Sequence, residues 1–193
     1  MANYINKEKI ILKMKMQTFQ KIKNEYGSFY RSLMQKGRLP MRSTEKGFWN
    51  ASSADEVLDA FKKLNLSKFK NFLDVGSGDG KIVLIASLFC KKAEGVEIDD
   101  ALHHKALEIQ SRLKISNAVF HNKDFFEHDF SKYDILFSAP DAPMERGLEN
   151  KLLDEMKGKL IHYGHHFHPQ NLKKENSLDV NGTMISLYSK QKT

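Results

Sequence analysis

The chain has 193 residues, 40% of them hydrophobic and 28% charged, with a formal net charge of +7. That length and balance fit one globular unit with a buried core and exclude a disordered chain. The longest apolar run, "IVLIA" at 82 to 86, is far too short to cross a bilayer, and the N-terminal segment lacks a signal-peptide pattern, so a cytoplasmic location is expected.

Residues 1–70 carry 15 Lys/Arg against 6 Asp/Glu, while the remainder carries 16 against 18. Such asymmetry suits an anionic partner at the basic N-terminal segment, or else describes a solvated helix face. The single cysteine, Cys90, has no partner for a disulfide or a zinc knuckle and is expected to pack within a helix.

Residues 5–36 place Leu12, Met16, Phe19, Tyr26, Phe29 and Leu33 at helical spacing between lysines, which predicts one long helix or two shorter ones, packed on the core or on a second copy. Gly37 and Pro40 then predict a loop over 36–48. The chain divides into a basic helical extension, 1–47, and a main domain, 48–193. In "SADEVLDAFKKL", Ser53 is placed to cap a helix while Glu56 reaches back to it.

From residue 71 the pattern alternates. Strands are expected at 71–75, 93–98, 118–121, 133–139 and 159–164, with helices at 80–91, 100–114 and about 144–157, and a short one near 125–130. Asn181-Gly182 marks a two-residue hairpin turn between two further strand-like runs. The fold class is therefore α/β: a doubly wound, mostly parallel sheet ending in an antiparallel hairpin, preceded by the helical extension.

The stretch "FLDVGSGDGK" turns from the first strand into Gly76, Ser77, Gly78, Asp79 and Gly80, the place where a doubly wound sheet binds its ligand. A dinucleotide fingerprint would have its third glycine at position 81, which is Lys81. Acids at Asp74 and Asp79 would also repel a pyrophosphate. They suit a cationic ligand without phosphates, and S-adenosylmethionine, with an α-ammonium and a sulfonium, is one.

Asp74, Gly76, Gly78 and Gly80 together resemble the first motif of the class I S-adenosylmethionine-dependent methyltransferases. Glu97, ending the second strand, matches the acid that takes the ribose hydroxyls, with Ile98 beside it. Asp124 and Phe125 match the pair that meets the adenine amine and ring. "SAPDAP" occupies the catalytic-loop position, where Ser138 would line the transfer channel and Asp141 would orient or deprotonate an acceptor. Trp49 would cover the donor or simply pack. Asp99 and Asp100 read as helix caps.

The resemblance implies methyl transfer to a macromolecule. "SAPDAP" lacks the Asn/Asp-Pro-Pro-Tyr pattern of exocyclic-nitrogen enzymes, and no cysteine follows residue 90. Protein lysine is the favoured acceptor, by likeness to small archaeal and mitochondrial-type lysine methyltransferases. RNA is the alternative, argued from the basic front segment with Tyr26, Tyr30 and Phe48. A non-catalytic binding module is the competing class, and a monomer or homodimer is expected. His162, His165, His166 and His168 lie close enough in sequence to suggest zinc, but strand alternation splits them and no metal is expected. His103 and His104 are expected to be solvated.

Overall fold

The computed structural model describes residues 2–44 and 46–191. Seven strands form one sheet in the order β5-β4-β3-β6-β7-β9-β8, where β3 is Asn71–Val75, β4 Lys92–Glu97, β5 Ala118–Asn122, β6 Ile135–Ser138, β7 Lys159–Tyr163, β8 Lys173–Val180 and β9 Thr183–Ser189. The first five are mutually parallel; β9 runs antiparallel to both β7 and β8. The expected sheet and its closing hairpin are thus present, and the turn residues Asn181 and Gly182 both have positive φ, as a tight hairpin of this hand requires.

Three helices, α2 (Ala54–Lys63), α3 (Lys81–Ala86) and α4 (Asp100–Leu113), supply core residues on one face of the sheet together with α1 (Ala2–Gln35). The other face packs on α5 (Leu148–Glu155) and on the 3-10 turns Phe125–Glu127 and Phe130–Lys132. The strand order reverses between β3 and β6, so a crevice opens at their carboxyl ends. No described helix is long and apolar enough to cross a membrane.

The front helix is continuous. Phe19, Ile22 and Tyr26 are buried in the same core as the sheet, whereas Leu12 and Met14 are about 60% exposed (58% and 60%), so only the second half of α1 is anchored. The loop expected over 36–48 contains a small antiparallel ribbon, β1 (Met41–Ser43) with β2 (Phe48–Asn50). Three-residue strands lie below the length at which alternation can be recognised.

Three local expectations are corrected. The helix after β3 stops at Ala86, not 91, and Cys90 is buried in the following turn rather than in a helix, with Sγ 3.8 Å from the Leu66 carbonyl. Ser53 accepts from the Glu56 amide, but Glu56 does not reach back: its carboxylate accepts from Tyr163 Oη (2.7 Å) and Thr183 Oγ1 (2.8 Å), tertiary donors that outcompete the local one. His103 is buried, since it lies on the core-facing stripe of α4 with Leu102 and Ala106, and only His104 faces solvent.

Candidate active site

The glycine turn is built from backbone that only glycine tolerates. Gly76, Gly78 and Gly80 have φ of +75°, +55° and +81°, the left-handed region that a side chain makes costly. Gly76 and Ser77 donate their amides to the Val96 carbonyl at 3.0 and 2.9 Å, which pins the turn to the end of β4. Gly78 donates to Glu97 Oε2 at 2.8 Å.

A cavity of about 400 Å³ lies over this turn. It is lined by Asp74, Gly76, Ser77, Gly78, Asp79, Glu97, Ile98, Asp124, Phe125, Ser138, Asp141 and Trp49, residues brought to one place from four strand ends and the ribbon. Of the residues expected there, Gly80 alone does not line it. A Cβ at Gly80 would lie 2.5 Å from Ala106 Cβ and 2.6 Å from Phe120, so this glycine lets α3 pack against α4 and β5.

The acids are not equivalent. Asp74 is buried, and its Oδ2 has no hydrogen-bond partner among the described residues. Burial first, then the nearby Glu97 and Asp79 carboxylates, push its carboxyl well above the usual range. Burial likewise raises Glu97, although the Asp99 and Gly78 amides oppose the shift. A pocket that holds such acids close together favours a positively charged occupant.

Asp79 faces elsewhere. Its Oδ2 accepts from Tyr30 Oη at 2.6 Å, and its main-chain oxygen accepts from Tyr26 Oη at 2.7 Å. Lys81, buried beneath α1, donates to Tyr30 Oη (2.8 Å) and to the Ser52 carbonyl. The acid expected to meet the ligand therefore clamps α1 onto the glycine turn, and Lys81 belongs to the same cluster. Burial raises the Asp79 carboxyl, against the opposing pull of Lys81 and Tyr30.

The β1–β2 ribbon forms a strap across the mouth, tied to the loops after three successive strands. Arg42 pairs with Asp99 (2.6 Å) beyond β4, Lys46 with Asp124 (2.9 Å) beyond β5, and the Phe48 amide donates to Asp141 Oδ2 beyond β6. Asp124 also accepts from the Phe126 amide at 3.0 Å; burial acts to raise its carboxyl, but this bond and Lys46 outweigh it and leave it low. Trp49 lies over the turn: a Cβ at Gly78 would fall 2.7 Å from Trp49 Cδ1. Its ring also packs near Phe29 and Tyr30 of α1, at 6.4 Å between centroids in each case.

Sequence reasoning missed the strap's ties, Lys46 above all, and the two tyrosines as clamps. The spacing of Tyr26 and Tyr30 by four on the core-facing side of α1 was the available signal. The His162–His168 cluster lies outside the cavity lining. His162 is wholly buried, with neither ring nitrogen hydrogen-bonded among the described residues, the His168 ring lies 4.3 Å from it, and His165 Nε2 donates to the Gly182 carbonyl.

The seven-strand order with its antiparallel β9, and an acid at the tips of β3 and β4 around a glycine turn, are the combination that distinguishes one fold. The chain has the fold of the class I S-adenosylmethionine-dependent methyltransferases. Residues 50–142 match the family model for histone methylation protein DOT1. An RNA methyltransferase from Salinibacter ruber, solved with S-adenosyl-L-homocysteine, is similar in structure at a TM-score of 0.64 and 20% identity, over 74% of this chain and 96% of that one. The Escherichia coli putative methyltransferase yhhF is similar at 0.57 and 22%, over 74% and 89%. The ribosomal protein L11 methylase of Lactobacillus delbrueckii subsp. bulgaricus is similar at 0.61 and 14%, over 76% and 82%. No curated protein matches the sequence. S-adenosylmethionine is the methyl donor of such an enzyme, and Asp74 Oδ2 and Ser77 Oγ, both lining the cavity, are buried without a hydrogen-bond partner among the described residues.

Proposed function

We propose that this methyltransferase modifies a protein lysine. The observation that carries the reading is the sign of the cavity: with the Asp79 carboxylate turned to Tyr30 and Asp124 paired with Lys46, Asp74, Glu97 and Asp141 still line it against Arg146. A side chain arriving as an ammonium is drawn to that mouth, while a phosphodiester is repelled by it. The match to the histone methylation model spans the glycine turn through Asp141 and supports the same acceptor.

The residues divide the work as follows. Asp74 and the Gly76–Gly78 backbone hold the donor's amino-acid tail, with Glu97 at the ribose hydroxyls and Ile98, Asp124 and Phe125 around the adenine. The donor supplies an electrophilic methyl on a sulfonium. Transfer is an in-line displacement, so the protein's part is alignment and exclusion of water. Ser138, 2% exposed at the tip of β6, narrows the channel, and Pro140, Pro143 and Phe126 give the mouth an apolar lining. Desolvation there lowers an entering lysine's affinity for its proton, which leaves to solvent before attack. Asp141 keeps one oxygen on the strap and orients the amine with the other; Trp49 closes the donor side.

A second reading, RNA, is favoured by one observation: the basic front segment, with Lys9, Lys13, Lys21, Lys23, Lys36 and Arg38 exposed. The two are separated by incubating the enzyme and tritiated donor with a cell lysate, followed by protease or nuclease. Label released by protease and recovered as methyllysine supports the proposal. Label released by nuclease alone assigns RNA, and donor binding without incorporation assigns a non-catalytic module.

A further inference from the structure

On the α5 face of the sheet, away from the donor cavity, three chain segments bring together Glu94 of β4, His121 of β5 and His128 from the turn after Phe125–Glu127. One donor atom from each lies within 4.8 Å of the others. None of the three lines the donor cavity. We infer that Glu94, His121 and His128 form a binding site for a divalent transition-metal ion of the zinc class.

The donor set is what such an ion takes: two imidazoles and one carboxylate, borderline nitrogens with a harder oxygen. Glu94 and His128 are buried, at 8% and 7% exposure, so the cluster is built into the fold and is not a surface coincidence. His128 Nδ1 is buried without a hydrogen-bond partner among the described residues, and Nε2 is 2.6 Å from Tyr133 Oη. Glu94 Oε2 lies 2.6 Å from His121 Nε2, and the two rings are 4.7 Å apart.

Ligation at about 2.0–2.2 Å places donor atoms roughly 3.2–3.6 Å apart in a tetrahedron. Inserting the ion between His121 and Glu94 thus opens a bond that is now direct and draws His128 inward. Glu94 Oε1 pairs with Lys92 at 2.6 Å; the Lys92 side chain is about half exposed (49%) and supports the carboxylate from outside. The Tyr133 phenol, beside His128 Nε2, is a hydrogen-bond partner of the ligand shell. The fourth position is left to water. Because His121 and His128 bracket Asp124 and Phe125, the ion would fasten the adenine-side loop to the sheet. The inference stands on this cluster alone and does not depend on the acceptor.

The test uses the untagged full chain, stripped with chelator, dialysed against zinc and analysed for bound metal, with cobalt as a spectroscopic replacement. One equivalent of zinc and a tetrahedral cobalt spectrum are expected. His121→Ala, at a residue whose side chain is 31% exposed, should weaken zinc by more than about 100-fold, beyond the 10–100-fold typical of an outer-shell partner; Tyr133→Phe should cost about 10–100-fold. His165→Ala/His166→Ala should change nothing. Failure to retain zinc, or retention undiminished in His121→Ala and Glu94→Gln, overturns the inference, as does loss confined to the His165/His166 variant.

Discussion

Asp74→Asn separates the stability of the empty enzyme from its affinity for donor, because the two should move in opposite directions. The side chain is 2% exposed with Oδ2 unpartnered, and it lies near Glu97 and Asp79, both of whose carboxyls are also raised. A buried charge left unsatisfied costs at least about 1–3 kcal/mol, so above the raised pKa, where the carboxylate would ionise, the neutral amide relieves the empty protein by about that much. Tm without ligand should rise by roughly 2–4 °C for each kcal/mol in a chain of this size. Donor affinity should fall by about 10- to 150-fold, the loss of a charged hydrogen bond worth roughly 1.5–3 kcal/mol.

The sign of the pH effect follows from the same group. Its folded pKa lies above the unfolded one, so its contribution to the empty protein is greatest below the usual carboxylate range and is lost as pH rises through the raised value. Below the raised value, ligand binding then expels a proton. Thermal unfolding of both forms from pH 4 to 8, and titration calorimetry with donor in buffers of different ionisation enthalpy, measure each part. Proton release should shrink in the Asn variant, leaving the share due to Glu97. If the variant is less stable when empty, or binds donor as tightly as the parent, the assignment of Asp74 to the cationic tail is wrong.

Tyr30→Phe removes the hydroxyl that donates to Asp79 and accepts from Lys81; unfolding free energy should drop by about 1–3 kcal/mol, read from urea denaturation. Gly78→Ala forces a side chain into the left-handed region at about 1–2 kcal/mol and pushes Trp49, 2.7 Å from the new Cβ, off the turn. The emission of this single tryptophan should shift, and donor affinity should fall. His162 is buried neutral, its pKa lowered to about 4 by burial and then His168. The unfolded chain therefore binds its proton first, and stability falls as pH drops from 6.5 towards 4, by at most about 3 kcal/mol. His162→Phe should flatten that acid limb in pH-dependent unfolding.

Much of the donor site was legible because its signals are local. Strand and helix periods mark 71–75 and 100–114 within a few residues, and Gly76, Gly78 and Gly80 mark a turn whose φ values exclude side chains. Acids at the ends of consecutive strands necessarily meet at one edge of a parallel sheet, so Asp74, Glu97 and Asp124 could be grouped without coordinates. Other expectations depended on partners distant in sequence. Glu56 was expected to close a capping box, but its carboxylate is taken by Tyr163 and Thr183. His103 looked like an exposed helix residue until α4 was seen to turn it inward.

The amino-acid order by itself determined that this chain winds a parallel sheet, ends it with a hairpin and opens a glycine turn among carboxylates, since propensity, period and turn chemistry act within a few residues. Only tertiary structure decided how each acid is used. Asp74 Oδ2 has no hydrogen-bond partner among the described residues, Asp79 is held by Tyr30, Asp124 by Lys46 and Asp141 by the Phe48 amide. It also decided that Glu94, His121 and His128 converge. A carboxylate's role depends on which donor reaches it first, and packing between distant segments sets that geometry.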